Sequence, residues 1–147
     1  MSGRREYLCY TDGSCKAGDV APGGWGFHIR PPSGPPLEGY GKARGTLAKI
    51  MECQAVAEAL VALPDRVAAI VFSDNQPLVE SLVSGRLFLF TKADPLLVPS
   101  ARRIEASLRD KQLVVTWRWV RSHNGNAGNE RADALAAQGA REAKASI

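Results

Sequence analysis

Two carboxylates stand where predicted buried strands end. Asp12 comes at the end of an apolar, alternating run at residues 7–10, and Asp74 directly follows a continuous apolar run at residues 67–73. An Asp-Gly pair is also a common turn dipeptide, so Asp12 taken alone favours an ordinary turn. The same arrangement recurs at Asp74. If the two strands are neighbours, both acids lie side by side at one end of the sheet, where ligands bind in such folds.

Two further carboxylates lie near the starts of predicted helices. Glu52 belongs to a helix predicted over residues 47–63, which is rich in good helix formers and is ended by Pro64. It extends the apolar row of that helix by one turn, although an isolated Glu there is more often a first-turn acid favoured by the helix dipole. Asp133 lies in the second turn of a helix predicted over residues 129–145.

A cluster of four carboxylates would have a definite electrostatic consequence. Like charges raise one another's pKa, so four acids at close range cannot all stay ionised unaided. Bound hard cations would resolve the repulsion, because oxygen ligands suit them. Two such ions about 4 Å apart would clamp the attacking and leaving oxygens of a phosphodiester displacement. The spacing of these four acids does not by itself establish a metal site, because four acids can be picked out of any chain after the fact.

The rest of the pattern predicts one α/β domain over residues 1–147. Three short strands joined by tight turns favour an antiparallel meander, and the strand–helix–strand unit that follows favours a parallel crossover. Trp117 and Trp119 are predicted to be core residues, and His28 to be structural. The predicted elements are strands 7–10, 25–30 and 37–43, helix 47–63, strand 67–73, helices 76–83 and 100–109, strand 113–120 and helix 129–145.

The composition is that of a soluble globular protein with a modest positive charge. The 147 residues are 45% hydrophobic and 23% charged, with a formal net charge of +4, which is compatible with a nucleic-acid partner. No apolar run approaches the roughly 20 residues of a membrane span, and residues 1–6 have no signal-peptide pattern behind them. An odd number of cysteines, Cys9, Cys15 and Cys53, fits a reduced protein. We therefore expect a cytoplasmic protein without membrane association.

Short motifs run in order along nearly the whole chain. They are Tyr10-Thr11-Asp12-Gly13-Ser14, Pro22-Gly23-Gly24-Trp25-Gly26, Met51-Glu52, Ser73-Asp74-Asn75-Gln76, Trp117-Arg118-Trp119-Val120, His123 and Asn129-Glu130-Arg131-Ala132-Asp133. Together they closely resemble type 1 ribonuclease H. The resemblance implies a five-stranded mixed sheet, three antiparallel strands then two parallel, with helices on both faces. It also implies an endonuclease that hydrolyses the RNA strand of RNA–DNA hybrids and leaves 5′-phosphate and 3′-hydroxyl ends.

The resemblance also assigns roles to individual residues. Asp12, Glu52, Asp74 and Asp133 become the ligands of two Mg²⁺ ions, for which Mn²⁺ could substitute. His123 becomes the histidine of a mobile loop that helps proton transfer or product departure. The partner becomes an RNA–DNA hybrid bound by a monomer. The residues expected to bind that substrate are Gly13, Ser14, Cys15, Gly18, Thr46, Lys49 and Gln76.

Two departures from the family pattern bear on substrate binding. Ala48 and Lys49 stand where many members have an Asn pair, so a hybrid-contacting side chain is either lost or replaced by a phosphate-contacting Lys49. Bacterial members often carry a basic protrusion, but residues 84–100 contain only two basic residues, Arg86 and Lys92. The apolar run at residues 87–90 is expected to pack against the following helix, with an exposed partner-binding patch as the alternative.

Two other functions remain open at this point. One is a catalytically weak hybrid-binding domain on the same fold. The other is a DNA nuclease or transposase-type domain, which usually sits in a longer chain. The presence of all four acids and the histidine favours the metal-dependent ribonuclease.

Overall fold

The computed structural model describes residues 5–16, 18–121 and 125–146, which form a five-stranded sheet with helices on both faces. The strand order is β3-β2-β1-β4-β5. The three strands β1, β2 and β3 pair antiparallel, whereas β4 pairs parallel to both β1 and β5. The predicted sheet is therefore confirmed. Its elements are β1 Tyr7–Cys15, β2 Ala21–Arg30, β3 Leu37–Thr46, α1 Ala48–Ala62, β4 Ala68–Ser73, α2 Gln76–Val83, α3 Leu87–Ala93, a 3₁₀ turn Pro95–Leu97, α4 Val98–Asp110, β5 Val114–Trp119 and α5 Ala127–Ala145.

Strand β1 is longer than predicted. The sequence places a turn after Asp12, but Asp12 pairs with Gly26 and the ladder continues to Cys15, which pairs with Gly23. The prediction of a turn at this point is wrong, because cross-strand pairing with β2 overrides the local preference of Asp-Gly. Asp12 therefore lies inside a hydrogen-bonded strand, which holds its backbone firmly.

The two faces of the sheet carry two separate layers of buried side chains. The alternation of a strand sends Cys9 of β1 to one face and Leu8 and Tyr10 to the other. Cys9 belongs to the larger core beneath α1 and α4, whereas Leu8 and Tyr10 pack with Ala132 of α5. Other buried members of the larger core are Ile29, Val56, Leu60, Val71 and Ile104.

Helix α1 confirms the strongest helix prediction to within a residue at each end. At its carboxyl end, one side chain pairs with backbone carbonyls: Nζ of Lys111 donates to those of Leu60 and Leu63 at 3.1 and 2.6 Å. Farther toward its start, Glu58 accepts two hydrogen bonds from Arg103 of α4, at 2.8 and 3.0 Å. These contacts fix the position of α1, which carries Glu52.

Helix α5 lies directly on the backbone of β2. A Cβ added at Gly26 would lie 2.7 Å from the carbonyl oxygen of Ala132, and one at Gly24 would collide with the backbone of Ala136. Gly139 on the helix makes an equally close approach to the backbone of β3. Only glycines at these positions allow the helix, and with it Asp133, to sit so near the sheet.

The segment between α2 and α4 and the end of β5 depart from expectation. Residues 87–90 begin a short helix in which Leu87 is buried, but Phe88 and Leu89 are 62% and 47% exposed. Packing against the core is therefore only partial.

Trp117 packs against the core, whereas Trp119 is 43% exposed because it ends an edge strand, so the core assignment of Trp119 is wrong. Among the described helices, none is long and apolar enough to cross a membrane.

Candidate active site

The close approach of β1 to α1 at Met51 and Glu52 brings Glu52 beside Asp12. A Cβ added at Gly13 would lie 2.7 Å from the carbonyl carbon of Met51 and would collide with the amide nitrogen of Glu52. A residue with a side chain would therefore push the strand and the helix apart. The amide of Gly13 also donates to Oδ1 of Asp12 at 2.9 Å, which orients that carboxylate.

Parallel pairing of β1 with β4 places Asp74 level with Asp12. Tyr10 pairs with Phe72, and each acid lies two residues farther along its strand on the same face. The hydroxyl of Thr11 donates to the carbonyl of Phe72 at 2.7 Å and ties the strand ends together. The indole Nε1 of Trp119 donates to the carbonyl of Asp74 at 3.1 Å, so the exposed tryptophan holds the backbone of this acid.

The predicted acids meet in one half-buried cluster. Asp12, Glu52 and Asp74 each offer a carboxylate oxygen, and these oxygens lie within 4.8 Å of one another. Asp133, from the second turn of α5, hydrogen-bonds the carboxyl of Asp12 on the face of the sheet against which α5 packs. Four separate elements thus supply the four acids.

Burial and mutual repulsion make it unfavourable for all the acids of this cluster to be ionised at once. Burial, followed by the charge of Asp74, raises the pKa of Asp12 to about 8, and a hydrogen bond that the protonated Asp12 makes to Asp133 adds to the rise. Burial and Asp74 likewise raise the pKa of Glu52 to about 8. A set of hard oxygen donors with excess negative charge fits a divalent cation such as Mg²⁺ or Mn²⁺.

Comparison with known proteins decides the family. The model of the RNase H family matches residues 4–141. The chain belongs to the RNase H family. The ribonuclease H of Polaromonas naphthalenivorans is 36% identical, over 97% of this chain and 92% of the relative. That of Cupriavidus metallidurans is 37% identical, over 92% of this chain and 95% of the relative. These matches confirm the resemblance found in the motifs and identify the chain as a nuclease.

Solved RNase H structures share the fold. RNase H1 of Halobacterium salinarum superposes with a TM-score of 0.72 at 25% identity, covering 93% of this chain and 98% of that one. LC11-RNase H1, solved in complex with an RNA/DNA hybrid, gives a TM-score of 0.76 at 21% identity, covering 95% and 99% of the two chains. The five-stranded mixed sheet is therefore the RNase H fold.

Asn75 is a residue of this RNase H whose role the sequence did not reveal. Its Oδ1 accepts from the amide of Leu78 at 3.0 Å and caps α2, while its Nδ2 donates to Oε1 of Glu52 at 3.3 Å. Its own amide donates to Oγ of Ser73 at 3.2 Å. The capping role was visible as an Asn just before a helix with proline in its first turn. The contact with Glu52 depends on the fold and left no local signal.

The predicted substrate-binding residues fall into two groups. Gly18 lies in the β1–β2 turn with φ +86° and is exposed, Gln76 is exposed at the start of α2, and Ser14 is half-buried beside Gly13 at the end of β1. In contrast, the side chain of Thr46 is buried, with an exposed fraction of 5% for the residue. All of these assignments stay predictions.

Cys15 and Lys49 make contacts that the sequence did not foresee. The thiol of Cys15 lies 3.5 Å from the carbonyl oxygen of Ala21 and 3.4 Å from that of Thr46. Lys49 is ion-paired with Asp94 in the turn after α3. The expected phosphate-contacting lysine therefore already has an anionic partner within the protein.

The chain has two histidines, His28 and His123. His28 is buried, and its Nδ1 lies 2.6 Å from Oε2 of Glu38, which confirms a structural role. His123 lies outside the described residues, so its catalytic role stays a prediction.

Proposed function

We propose that this RNase H hydrolyses the RNA strand of RNA–DNA hybrids with the help of two Mg²⁺ ions, for which Mn²⁺ can substitute, and leaves 5′-phosphate and 3′-hydroxyl ends. The observation that carries the proposal is the convergence of Asp12, Glu52 and Asp74 within 4.8 Å, with Asp133 bonded to Asp12, in a chain of this family. The hybrid bound to the structurally similar LC11-RNase H1 supports the choice of substrate.

Two of the four acids have an orienting hydrogen bond in the proposed mechanism. Asp12 would be the central ligand, because it contacts Asp133 on one side and faces Asp74 on the other. The amide of Gly13 orients its carboxylate, and Asn75 orients that of Glu52. Divalent cations held by the four acids would polarise the scissile phosphate and lower the pKa of the attacking water. Because these hydrogen bonds hold the two carboxylates in place, both ligands would lose little freedom on binding a cation.

Substrate would approach over the exposed residues around this cluster. RNA is distinguished from DNA by its 2′-hydroxyls, which the wide, shallow minor groove of an A-like duplex displays. Gly18 and Gln76 are exposed and suit contacts to that groove, with Ser14 nearer the acids. We assign His123 to proton transfer or product departure, in keeping with the family motif. Because one chain supplies all four acids, we expect a monomeric domain to be sufficient.

One comparison of substrates tests the proposed function against its alternatives. Matched RNA–DNA, RNA–RNA and DNA–DNA duplexes, each strand labelled at either end, are incubated with the protein in magnesium and in chelator. We expect cleavage of the RNA strand of the hybrid, in magnesium only. Binding of the hybrid without cleavage would instead support a binding domain, and cleavage of the DNA duplex would support a DNA nuclease.

A further inference from the structure

The ion pair between Lys49 and Asp94 stands beside the carboxylate cluster. Nζ of Lys49 contacts Oδ2 of Asp94, and the lysine side chain remains 46% exposed. Lys49 lies on α1 three residues before Glu52, so the two side chains occupy neighbouring turns on one side of the helix. The pair is therefore about one helical turn from an acid of the proposed metal site.

Both members of the pair line an open cleft of about 360 Å³ that adjoins the active site. Asn75 lines the same cleft and donates to Glu52 at 3.3 Å, which connects the cleft to the acids. The other lining residues are Pro77, Phe90, Ala93 and Leu97. Lys49 is thus the cationic side chain among those that line the cleft, and Asp94 offsets its charge.

Asp94 is the fixed partner and Lys49 the adaptable one. The amide of Asp94 donates to Thr91 and its carbonyl accepts from Leu97, both at 3.1 Å. Its Oδ1 accepts from the amide of Leu96 at 3.3 Å, while Oδ2 meets the lysine. The two carboxylate oxygens therefore have separate contacts. The lysine reaches them through a flexible four-carbon chain that can turn to another anion.

We propose that Asp94 competes with nucleic-acid phosphate for Lys49 and thereby lowers the affinity of this protein for its substrate. The inference rests on the proposed function, since it requires a polyanionic substrate at the neighbouring cluster. A half-exposed ion pair restrains its members only weakly, so an incoming phosphate can displace the carboxylate. Asp94 is an affinity-determining residue that acts through Lys49.

Replacing Asp94 by asparagine separates the two contacts of its side chain. The amide oxygen of Asp94→Asn still accepts from Leu96, so the turn keeps its cap. The amide nitrogen cannot accept from Lys49, so the lysine is released. The probe is a fluorescent RNA–DNA hybrid in chelator, titrated at several salt concentrations by anisotropy. We expect Asp94→Asn to bind about threefold to tenfold more tightly at low salt, with a salt slope steeper by about 1, as for one added phosphate contact.

Two controls distinguish release of Lys49 from a general change in charge. Asp110→Asn removes an acid that pairs with Arg109 at the far end of α4, where we expect no gain in affinity. In the Lys49→Met background, Asp94→Asn should give no gain. An equal gain in that background, an equal gain from Asp110→Asn, or no gain from Asp94→Asn in the parent protein would each overturn the inference.

The behaviour of the parent protein distinguishes failure of the inference about Asp94 from failure of the proposed function. If the parent protein cleaves hybrid in magnesium and Asp94→Asn leaves its affinity unchanged, only the role of Asp94 is overturned. If the parent protein neither binds nor cleaves hybrid, the proposed function is overturned and the inference with it.

Discussion

At the residue scale, each of the three clustered acids is placed by an uncharged neighbour. Gly13 lets α1 approach Asp12, Asn75 donates to Glu52, and Trp119 donates to the carbonyl of Asp74. The motifs identified the acids but assigned no role to Asn75 and placed Trp119 in the core. The contacts of these neighbours join residues far apart in sequence, so no local pattern announces them.

Asn75 allows its two contacts to be tested separately. A serine at this position can still cap α2 but cannot reach Glu52 with an amide donor. We expect Asn75→Ser to lose roughly tenfold or more in activity, as is typical when a ligand's orienting partner is removed, with little change in stability. Asn75→Ala should lose the cap as well, at a cost of about 1 kcal/mol in unfolding free energy. Full activity in the serine variant would show that Asn75 does not orient Glu52.

Asp12 should destabilise the metal-free protein in a pH-dependent way. Burial and neighbouring acids raise its pKa from 3.8 to about 8, so the folded state keeps a proton that the unfolded chain releases. Stability is therefore lost as pH rises from about 4 to about 8. In chelator at neutral pH, Asp12→Asn should unfold with a free energy higher by about 1 kcal/mol or more, since one pKa unit corresponds to about 1.4 kcal/mol.

The pH dependence supplies the check on that expectation. Denaturant unfolding of the parent and Asp12→Asn proteins in chelator should give unfolding free energies whose difference shrinks as the pH falls below about 4, because both states of the parent then carry the proton. A difference that stayed constant with pH, or a less stable variant, would contradict the assigned environment of Asp12.

At the element scale, strong local patterns were predictive and close packing was not. Helix α1 has an uninterrupted run of helix formers ended by proline, and it was placed to within a residue at each end. Strand β1 was predicted to end at residue 10, because its continuation to Cys15 depends on pairing with the glycines of β2. Helix α3 was not predicted, since it is a seven-residue helix whose apolar side chains are largely exposed.

Because α5 packs directly on β2, alanine should be tolerated far less well at Gly26 than at Gly45. A Cβ at Gly26 would lie 2.7 Å from backbone atoms of Ala132 and Ala136, whereas at Gly45 the nearest atom is a methyl of Val20 at 3.4 Å. We expect Gly26→Ala to cost roughly 2 kcal/mol or more in stability, as overpacking typically does. Activity should fall too, since α5 carries Asp133.

Gly45→Ala is the control on the edge strand β3. It should change the unfolding free energy by less than about 1 kcal/mol and leave hybrid cleavage at the parent rate. Equal tolerance of alanine at Gly26, by thermal unfolding and by activity, would show that α5 is not seated on the sheet backbone as described.

Glu38 joins three elements and should give stability a second, acidic pH dependence. It accepts two hydrogen bonds from Arg131 of α5, at 2.8 and 2.9 Å, and contacts His28 of β2. The bonds from Arg131, with those from His28, lower the pKa of Glu38 from 4.5 to about 2. Its contribution is therefore complete above about pH 4.5 and is lost as pH falls toward 2.

Glu38→Gln should lower the unfolding free energy by about 1 kcal/mol at neutral pH, a value kept small because the ion pair is partly exposed to solvent. Urea unfolding across the acidic range should show the difference shrinking as the pH approaches 2. Glu105→Gln, on the exposed side of α4, serves as the control. A loss that is independent of pH would show that the charge of Glu38 is not what stabilises the network.

At the scale of the whole molecule, the motifs predicted the family, the sheet and the meeting of the acids. The meeting of the acids was predictable because parallel pairing places the carboxyl ends of β1 and β4 at the same edge of the sheet. The surface around the site was less predictable. Lys49 was expected to face substrate, but its partner Asp94 comes from the segment that departs from the family pattern. Thr46 was expected to contact substrate, but it is enclosed where β3 meets α1.

We propose above all that the clustered carboxylates carry out metal-dependent cleavage of RNA in a hybrid. The most direct test is the rate of cleavage of a labelled RNA–DNA hybrid at saturating magnesium by the parent protein, Asp12→Asn and the remote control Asp110→Asn. Circular dichroism and thermal unfolding establish that each variant is folded. We predict that Asp110→Asn cleaves at the parent rate and that Asp12→Asn, fully folded, has lost cleavage. Near-parental turnover by Asp12→Asn would contradict the assignment of the site.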